Sequence, residues 1–423
     1  MGNLFSGSRL NSGMTRGTVA INRWFACFCT GIALTTAMLP AQSRAETAID
    51  RPVKLPVAAP SRSSSALVQL PKPPVGESAT SQLLGDFSTP ADRRSLLRAI
   101  DYSLRYLQTE RAIAAYRRPP TPGITRERVA RSLRRFRQLL LTIASAKALQ
   151  AAIEREFVFY QATGKDGQGT VAFTGYFEPV YAASRRPTAA FRYPLFRLPP
   201  DLANWSKPHP TRLQLEGADG LQFQNRWLKG LELVWLRDRL EAFLVQVQGS
   251  ARLQLVDGGV MTVGHAGTTD YSYTGIGREL VKAGKFKLED LTLPLLIQYL
   301  ADHPDERDVY LPRNNRFVFF KPTDGAAAIG SLGVPVTAER SIATDKTLFP
   351  PGALALMQTQ IPYPNAAAQL EKRFVNRYVL DQDTGGAIKG AGRVDVFIGT
   401  GQLAGDRSGL INAPGALYYL LLK

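Results

Sequence analysis

Three aspartates stand at the edges of short apolar runs in the last quarter of the sequence: Asp345 in SIATDKTLF, Asp383 in DTGGAIKG and Asp395 in RVDVFIG. A carboxyl group becomes a useful proton donor near neutral pH once its surroundings disfavour the charged form. A strand sends alternate side chains to opposite faces, so Asp395 and Phe397 would share one face while Val394 and Val396 turn to the core. An aspartate placed beside an aromatic ring and short of water keeps its proton longer, as a general acid must. Asp383 opens a glycine turn whose Gly385 and Gly386 allow close backbone approach, and Lys389 adds a positive charge nearby. Asp345 lies in a polar turn ahead of an apolar strand. The residues alone leave a plainer reading open, in which Asp383 caps a turn and Asp395 is a hydrogen-bonded structural aspartate.

Other chemistries have less to stand on. His209, His265 and His303 show no i, i+3 or i+4 spacing and no HExxH, so no metal site is expected. There is no GxSxG, and Ser250 in QGSARL lacks a nucleophile context. GTGQLAG (399–405) is not followed by the long apolar helix of a dinucleotide loop, and no phosphate-binding GxxxxGK[ST] occurs, so no cofactor is expected.

Positioning these aspartates requires a mainly β scaffold. After residue 155, strand-like runs alternate with Gly, Pro, Asn and Asp: FVFYQA, TVAFTGYFEPVYAA, AFLVQVQGSARLQLV, VMTVGHAG, RFVFFK, VDVFIGTG and ALYYLLL. Short helical pieces separate them, in NRWLKGLELVWLRDRLEAF, IGRELVKAGKF and LEDLTLPLLIQYLADHP. Two helices come first. One has Thr89 as cap and Pro90 at its first position, with Leu96, Leu97, Ile100, Leu104 and Leu107 at helical spacing. The other starts near Thr125 and buries Val129, Leu133, Phe136, Leu140 and Ile143, leaving an arginine-rich face to solvent.

The N-terminus indicates export. Arg16 and Arg23 precede the apolar run WFACFCTGIALTTAML (24–39), and small residues follow at Ser43 and Ala45. Cleavage after Ala45 would remove Arg9, Arg16, Arg23 and Arg44 and lower the formal charge from +17 to +13. It would also remove Cys27 and Cys29, the two cysteines of the chain, and with them any disulfide or thiol nucleophile. Neither cysteine follows the apolar run, which favours a soluble exported protein over a lipoprotein. Residues 46–86 are rich in Pro, Ser and Ala and read as a disordered linker.

Six segments, in order, resemble the lytic murein transglycosylase A family and its C-terminal three-aspartate module. They are TGYFEPVYAASRRPTAAFRYPLFRLP (174–199), FLVQVQGSARLQLVDG (243–258), VGHAGTTDYSYTGIGREL (263–280), NNRFVFFKPTDGAAAIGSLGVPVTAERSIATDK (314–346), DTGGAIKGAGRVDVFIGTGQLAG (383–405) and GALYYLLLK (415–423). His265 departs from the family's usual tyrosine, and the loop around Asp270 is unusual for it. The resemblance implies a double-psi β-barrel made of 87–178 and 313–423, with the three-aspartate module at about 330–423. It also implies a second β domain, 179–312, inserted as the other wall of a glycan groove.

The same resemblance implies cleavage of the β-1,4 bond between N-acetylmuramic acid and N-acetylglucosamine in peptidoglycan, with a 1,6-anhydro product. Asp395 would be the single acid/base, Asp383 would orient it and Asp345 would support from further out. Thr174, Tyr176, Gln246 and Gln248 become sugar-contact candidates, with Lys389 and Phe397 beside them. Partners would be glycan strands and, through the basic surface, anionic envelope polymers or the outer-membrane surface. Nucleic acid is not expected, a monomer is, and the setting would be the periplasm or cell envelope. Two rivals remain: an inverting hydrolase with Asp395 as acid and Asp383 or Glu178 as base, and a glycan-binding module without chemistry.

Overall fold

The computed structural model describes residues 65–74, 90–119, 121–325 and 327–423. The apolar run, its flanks and the capping Thr89 lie outside the described residues. So does most of the 46–86 linker, but not all: β1 (Leu67–Gln69) pairs antiparallel with β2 (Phe157–Ala162) and buries Leu67. The linker expectation is therefore wrong at 65–74. An alternating Leu-Val-Gln triplet meets an open sheet edge there and gains backbone hydrogen bonds.

Among the described residues, four helices precede the barrel: Pro90–Tyr106, Glu110–Tyr116, Arg126–Thr142 and Ala146–Glu156. Pro90 occupies the first helical position as expected, and Thr125 and Ser145 accept hydrogen bonds from Arg128 and Ala148 amides at their helix starts. Helix Arg126–Thr142 buries Val129, Leu133, Phe136 and Leu140 at three- and four-residue spacing. The Phe136 ring meets Tyr378 of the barrel edge-on at 5.0 Å. Part of the arginine-rich face is structural. Arg135 pairs with Glu156, Arg137 with Asp101, and Arg93 caps the free carbonyls of Leu140 and Ile143.

The main sheet runs β1, β2, β14 (Asn412–Leu422), β11 (Leu354–Pro364), β12 (Leu370–Asp383), β10 (Ser341–Ala343), β13 (Arg393–Thr400), β3 (Val171–Glu178). A further β14–β3 pairing closes its last six strands into a barrel. Parallel pairs (β10–β12, β3–β13) mix with antiparallel ones, as expected of a double-psi barrel. The second sheet has six strands in the order β5 (Tyr193–Phe196), β6 (Glu232–Leu236), β4 (Val180–Ser184), β7 (Ser250–Leu255), β8 (Val260–Thr268), β9 (Val318–Pro322). A bridge from Arg197 to Phe320 brings its two edges together. Pro179 alone separates β3 from β4, so one extended segment passes from the first sheet to the second.

Two local expectations fail. The run AFLVQVQ is not a strand; it belongs to the helix Arg239–Gln248, and the strand starts only at Ser250. The expected helical stretch before it contains β6. Asp238 caps that helix at Leu240, and Gly249 closes it at φ +80°. A return to the barrel at 313 is also too early, because β9 pairs with β8 in the second sheet.

Candidate active site

Five residues form one register row across the barrel: Asp383 on β12, Ala343 on β10, Asp395 on β13, Thr174 on β3 and Asn412 on β14. Paired residues in a sheet point to the same face. Val394 and Val396 are fully buried in the barrel core, whereas Asp395 is only partly covered. The alternation in RVDVFIG therefore places the acid on the open side, as the sequence implies.

The Thr174 hydroxyl donates to Asp395 Oδ1, and Arg393 Nη2 reaches the same hydroxyl at 3.4 Å. Burial pushes the Asp395 carboxyl up, Arg393 pulls it down and the Asp383 charge pushes it up again, for a pKa of about 6. A carboxyl at that value holds its proton long enough to give it away near neutral pH.

Asp383 has a different environment. Its Oδ1 accepts from the amides of Ser331 (2.7 Å) and Thr384 (2.8 Å), and its Oδ2 accepts from the Tyr176 hydroxyl (2.8 Å). Gly330 makes this cradle possible. A Cβ there would lie 2.8 Å from the Gln382 carbonyl and 3.3 Å from Asp383 Cγ. Tyr176 is held protonated by burial and by the Asp383 charge, and its ring packs on Phe397 at 5.3 Å between centroids. Tyr176 and Phe397 therefore support Asp383 from below, and Phe397 is buried with Ala328 and Val336.

Asp345 stands further out. It accepts from the Thr347 amide and hydroxyl and from the Gly390 amide, and so ties down the turn that carries Lys389. Burial would raise its carboxyl, but the Gly390 amide, the Thr347 contacts and the Lys389 charge hold it below its ordinary value. Lys389 itself is exposed on that turn.

The two glutamines are structural ties. Gln246 is buried, and its amide oxygen accepts from Arg212 Nη2 (2.7 Å) and from the Val318 amide (3.1 Å). Gln248 Oε1 accepts from the Phe177 amide at 3.1 Å, joining its helix to the end of β3. Glu178 is also committed: it is buried, accepts from Thr400 Oγ1 at 2.8 Å and faces Arg252 at 3.7 Å.

Sequence reasoning missed Asn412, exposed at the end of the register row, and a buried pair beneath Asp383. Asp381 is fully buried and accepts from Lys346 Nζ, Thr344 Oγ1 and the Tyr419 hydroxyl. Burial raises its carboxyl against the opposing pull of Lys346, Tyr419 and Thr344. Lys346 also donates to the Asp383 carbonyl, which locks the end of β12 in place. From the second sheet, His265 is held below its ordinary value by burial and by Arg316, against the pull of Asp383. The half-buried Tyr273 feels the charges of Arg393 and Asp395.

Two family models match this chain: the MltA specific insert domain over residues 172–321 and the 3D domain over 340–421. The membrane-bound lytic murein transglycosylase A of Escherichia coli K12 is 30% identical over 263 residues, covering 62% of this chain and 68% of that protein. Its Vibrio cholerae counterpart is 32% identical over 268 residues with the same coverage. The crystal structure of a membrane-bound lytic murein transglycosylase from Agrobacterium tumefaciens superposes with a TM-score of 0.62 at 26% identity, over 78% of this chain and 92% of that one. The E. coli protein with bound chitohexaose has the same fold at a TM-score of 0.61 and 23% identity, over 84% and 94% of the two chains. By sequence and by fold, the chain belongs to the membrane-bound lytic murein transglycosylase A family.

Proposed function

We propose that the chain is an exported peptidoglycan lytic transglycosylase. It cleaves the β-1,4 bond between N-acetylmuramic acid and N-acetylglucosamine, leaves a 1,6-anhydromuramic end, and serves cell-wall turnover and remodelling in the envelope. One observation carries this reading. Asp395 is the carboxyl poised to exchange a proton, while Asp383 and Asp345 have both oxygens committed to donors and the buried Glu178 is held through one oxygen by Thr400 and Arg252. A two-carboxylate hydrolase needs a second carboxylate free to activate water, roughly 6.5–9.5 Å from the acid. Asp383, with three donors on its two oxygens, is a poor base for that task.

An intramolecular nucleophile removes the need for it. Asp395 gives its proton to the glycosidic oxygen as the bond to C1 breaks. The C6 hydroxyl of the same muramic residue forms the new bond to C1, and its proton passes to the Asp395 carboxylate. The acid is regenerated with no water consumed. Thr174 fixes the carboxyl rotamer, Asp383 and Tyr176 hold the neighbouring strand end, and Asp345 with Lys389 shapes the turn beside them. The barrel, with its N-terminal helices, supplies the chemistry, and the inserted six-stranded sheet supplies the facing wall.

The test is mass spectrometry of products from murein sacculi incubated with the chain and with its Asp395→Asn variant. Anhydromuramic ends that vanish with the variant are the expected result. Hydrated reducing ends would replace this reading with hydrolysis, and sacculus binding without cleavage would replace it with a glycan-binding role.

A further inference from the structure

The second sheet has a mouth that the lytic reading does not use. β4, β5, β7 and β9 end at one rim and β6 and β8 begin there, while the opposite ends of β4, β7, β8 and β9 lie toward β3. At this far rim is a cavity of about 540 Å³, lined by Arg185, Arg197, Glu232, Trp235, Thr262 and Asp324 over the buried Leu233. Barrel mouths are favoured ligand sites when a few polar groups converge over an apolar floor.

The charges around it are underused. Arg197 is exposed and has no carboxylate within ion-pair distance among the described residues. Arg185 faces Asp257 at 3.5 Å with both side chains more than half exposed, a pairing of little strength. Glu232 accepts from Gln224 Nε2, and no cation pairs with it or with Asp324 among the described residues. The rim is also built rather than loose. The buried Thr262 hydroxyl accepts from Thr323 Oγ1 at 2.7 Å and from the Gly325 amide at 2.9 Å, and the turn between them holds Asp324 at φ +49°. A non-glycine residue in that region is uncommon, and such positions cluster at ligand sites.

We infer that this mouth binds an amphoteric peptide, with Arg197 and Arg185 taking a carboxylate, Glu232 and Asp324 an ammonium, and Trp235 the aliphatic part between them. Resting on the lytic reading, the peptide is the stem of peptidoglycan, whose diamino acid carries an ammonium and whose C-terminus carries a carboxylate. The spacing suits it. β8 runs from Met261 in the cavity to His265, which feels the Asp383 charge, and four residues of strand span about 13 Å. A four-residue stem reaches about as far when extended. The mouth would then favour glycan that still bears its peptides.

The experiment uses the full chain carrying Asp395→Asn and titrates it with stem tetrapeptide released from murein. Saturable binding is expected, weakened at least tenfold by Arg197→Ala and by Glu232→Gln, and not displaced by an N-acetylglucosamine tetrasaccharide. Absence of binding, binding indifferent to both substitutions, or displacement by the tetrasaccharide would each overturn the inference. With Asp395 intact, Arg197→Ala should cleave peptide-free glycan at the parental rate, and a loss there would overturn a separate mouth. Failure of the parent itself to cleave peptide-free glycan would instead count against the lytic reading.

Discussion

Asp383 and Asp395 flank the same residue, Ala343, in register across β12, β10 and β13. Two strand spacings, roughly 9.5 Å between Cα atoms, separate the aspartates, and only a methyl group stands on the strand between them. The small side chain keeps that space open. Ala343→Leu should fill it, cost about 1–3 kcal/mol by overpacking and abolish glycan cleavage. Ala343→Ser should keep most of the activity. Thermal unfolding and product release measured side by side on the two variants check this, and an active leucine variant would show that the gap is not used.

Replacing Asp395 by Asn removes proton exchange while keeping the shape. Cleavage should fall by about 10²–10⁴-fold or more. Asp383→Asn should cost less, because its remaining oxygen can still accept from the Ser331 and Thr384 amides and only the acceptor for Tyr176 is lost, not the reacting group. Initial rates on peptide-free glycan rank the two; the reverse order would reassign the acid.

The pH profile follows from the Asp395 value of about 6. Its protonated form must be present at the start, so kcat/KM should fall as pH rises through about 6, without the ascending limb that a second essential carboxylate would add. Arg393 pulls this carboxyl down, so Arg393→Gln should move the descending limb to higher pH.

The same shift has a stability side. The folded pKa lies above the ordinary 3.8, so the stability this group contributes is fully present below about pH 4 and lost as pH rises through about 6. Relative to Asp395→Asn, the parent should lose up to about 2–3 kcal/mol between those limits, at about 1.4 kcal/mol per unit. Denaturant unfolding of both proteins at pH 4 and pH 7 measures it.

Lys346 compensates the buried Asp381. Lys346→Met should destabilise by about 3–5 kcal/mol, as when one partner of a buried pair is removed. It should also loosen the end of β12, since Lys346 holds the Asp383 carbonyl. The double variant Asp381→Asn, Lys346→Met should recover much of that loss in chemical denaturation.

The face of Asp395 was legible because valines flank it in strict alternation, and the helix Arg126–Thr142 because its apolar residues recur at three and four. The glutamines misled for a physical reason. Leu240, Phe243, Leu244 and Val245 form a short apolar run that fits a strand or a buried helix equally well. Asp238 and Gly249, the caps at its two ends, were the signals that could have decided it. The Asp381–Lys346 pair joins positions 35 apart through a barrel closure that no local pattern encodes.

Pro179 is the whole of the connection from β3 to β4, and it falls just after Glu178 at the end of the barrel strand that carries Thr174 and Tyr176. All five residues of the register row belong to the barrel, and none to the sheet that begins after that proline. A chain spliced at such a strand end can exchange its gripping part wholesale while the bond-breaking part stays as it is. Divergence among relatives should therefore concentrate in the inserted sheet, from β4 to β9, so that one reaction is retained while the wall polymers it is applied to change from lineage to lineage.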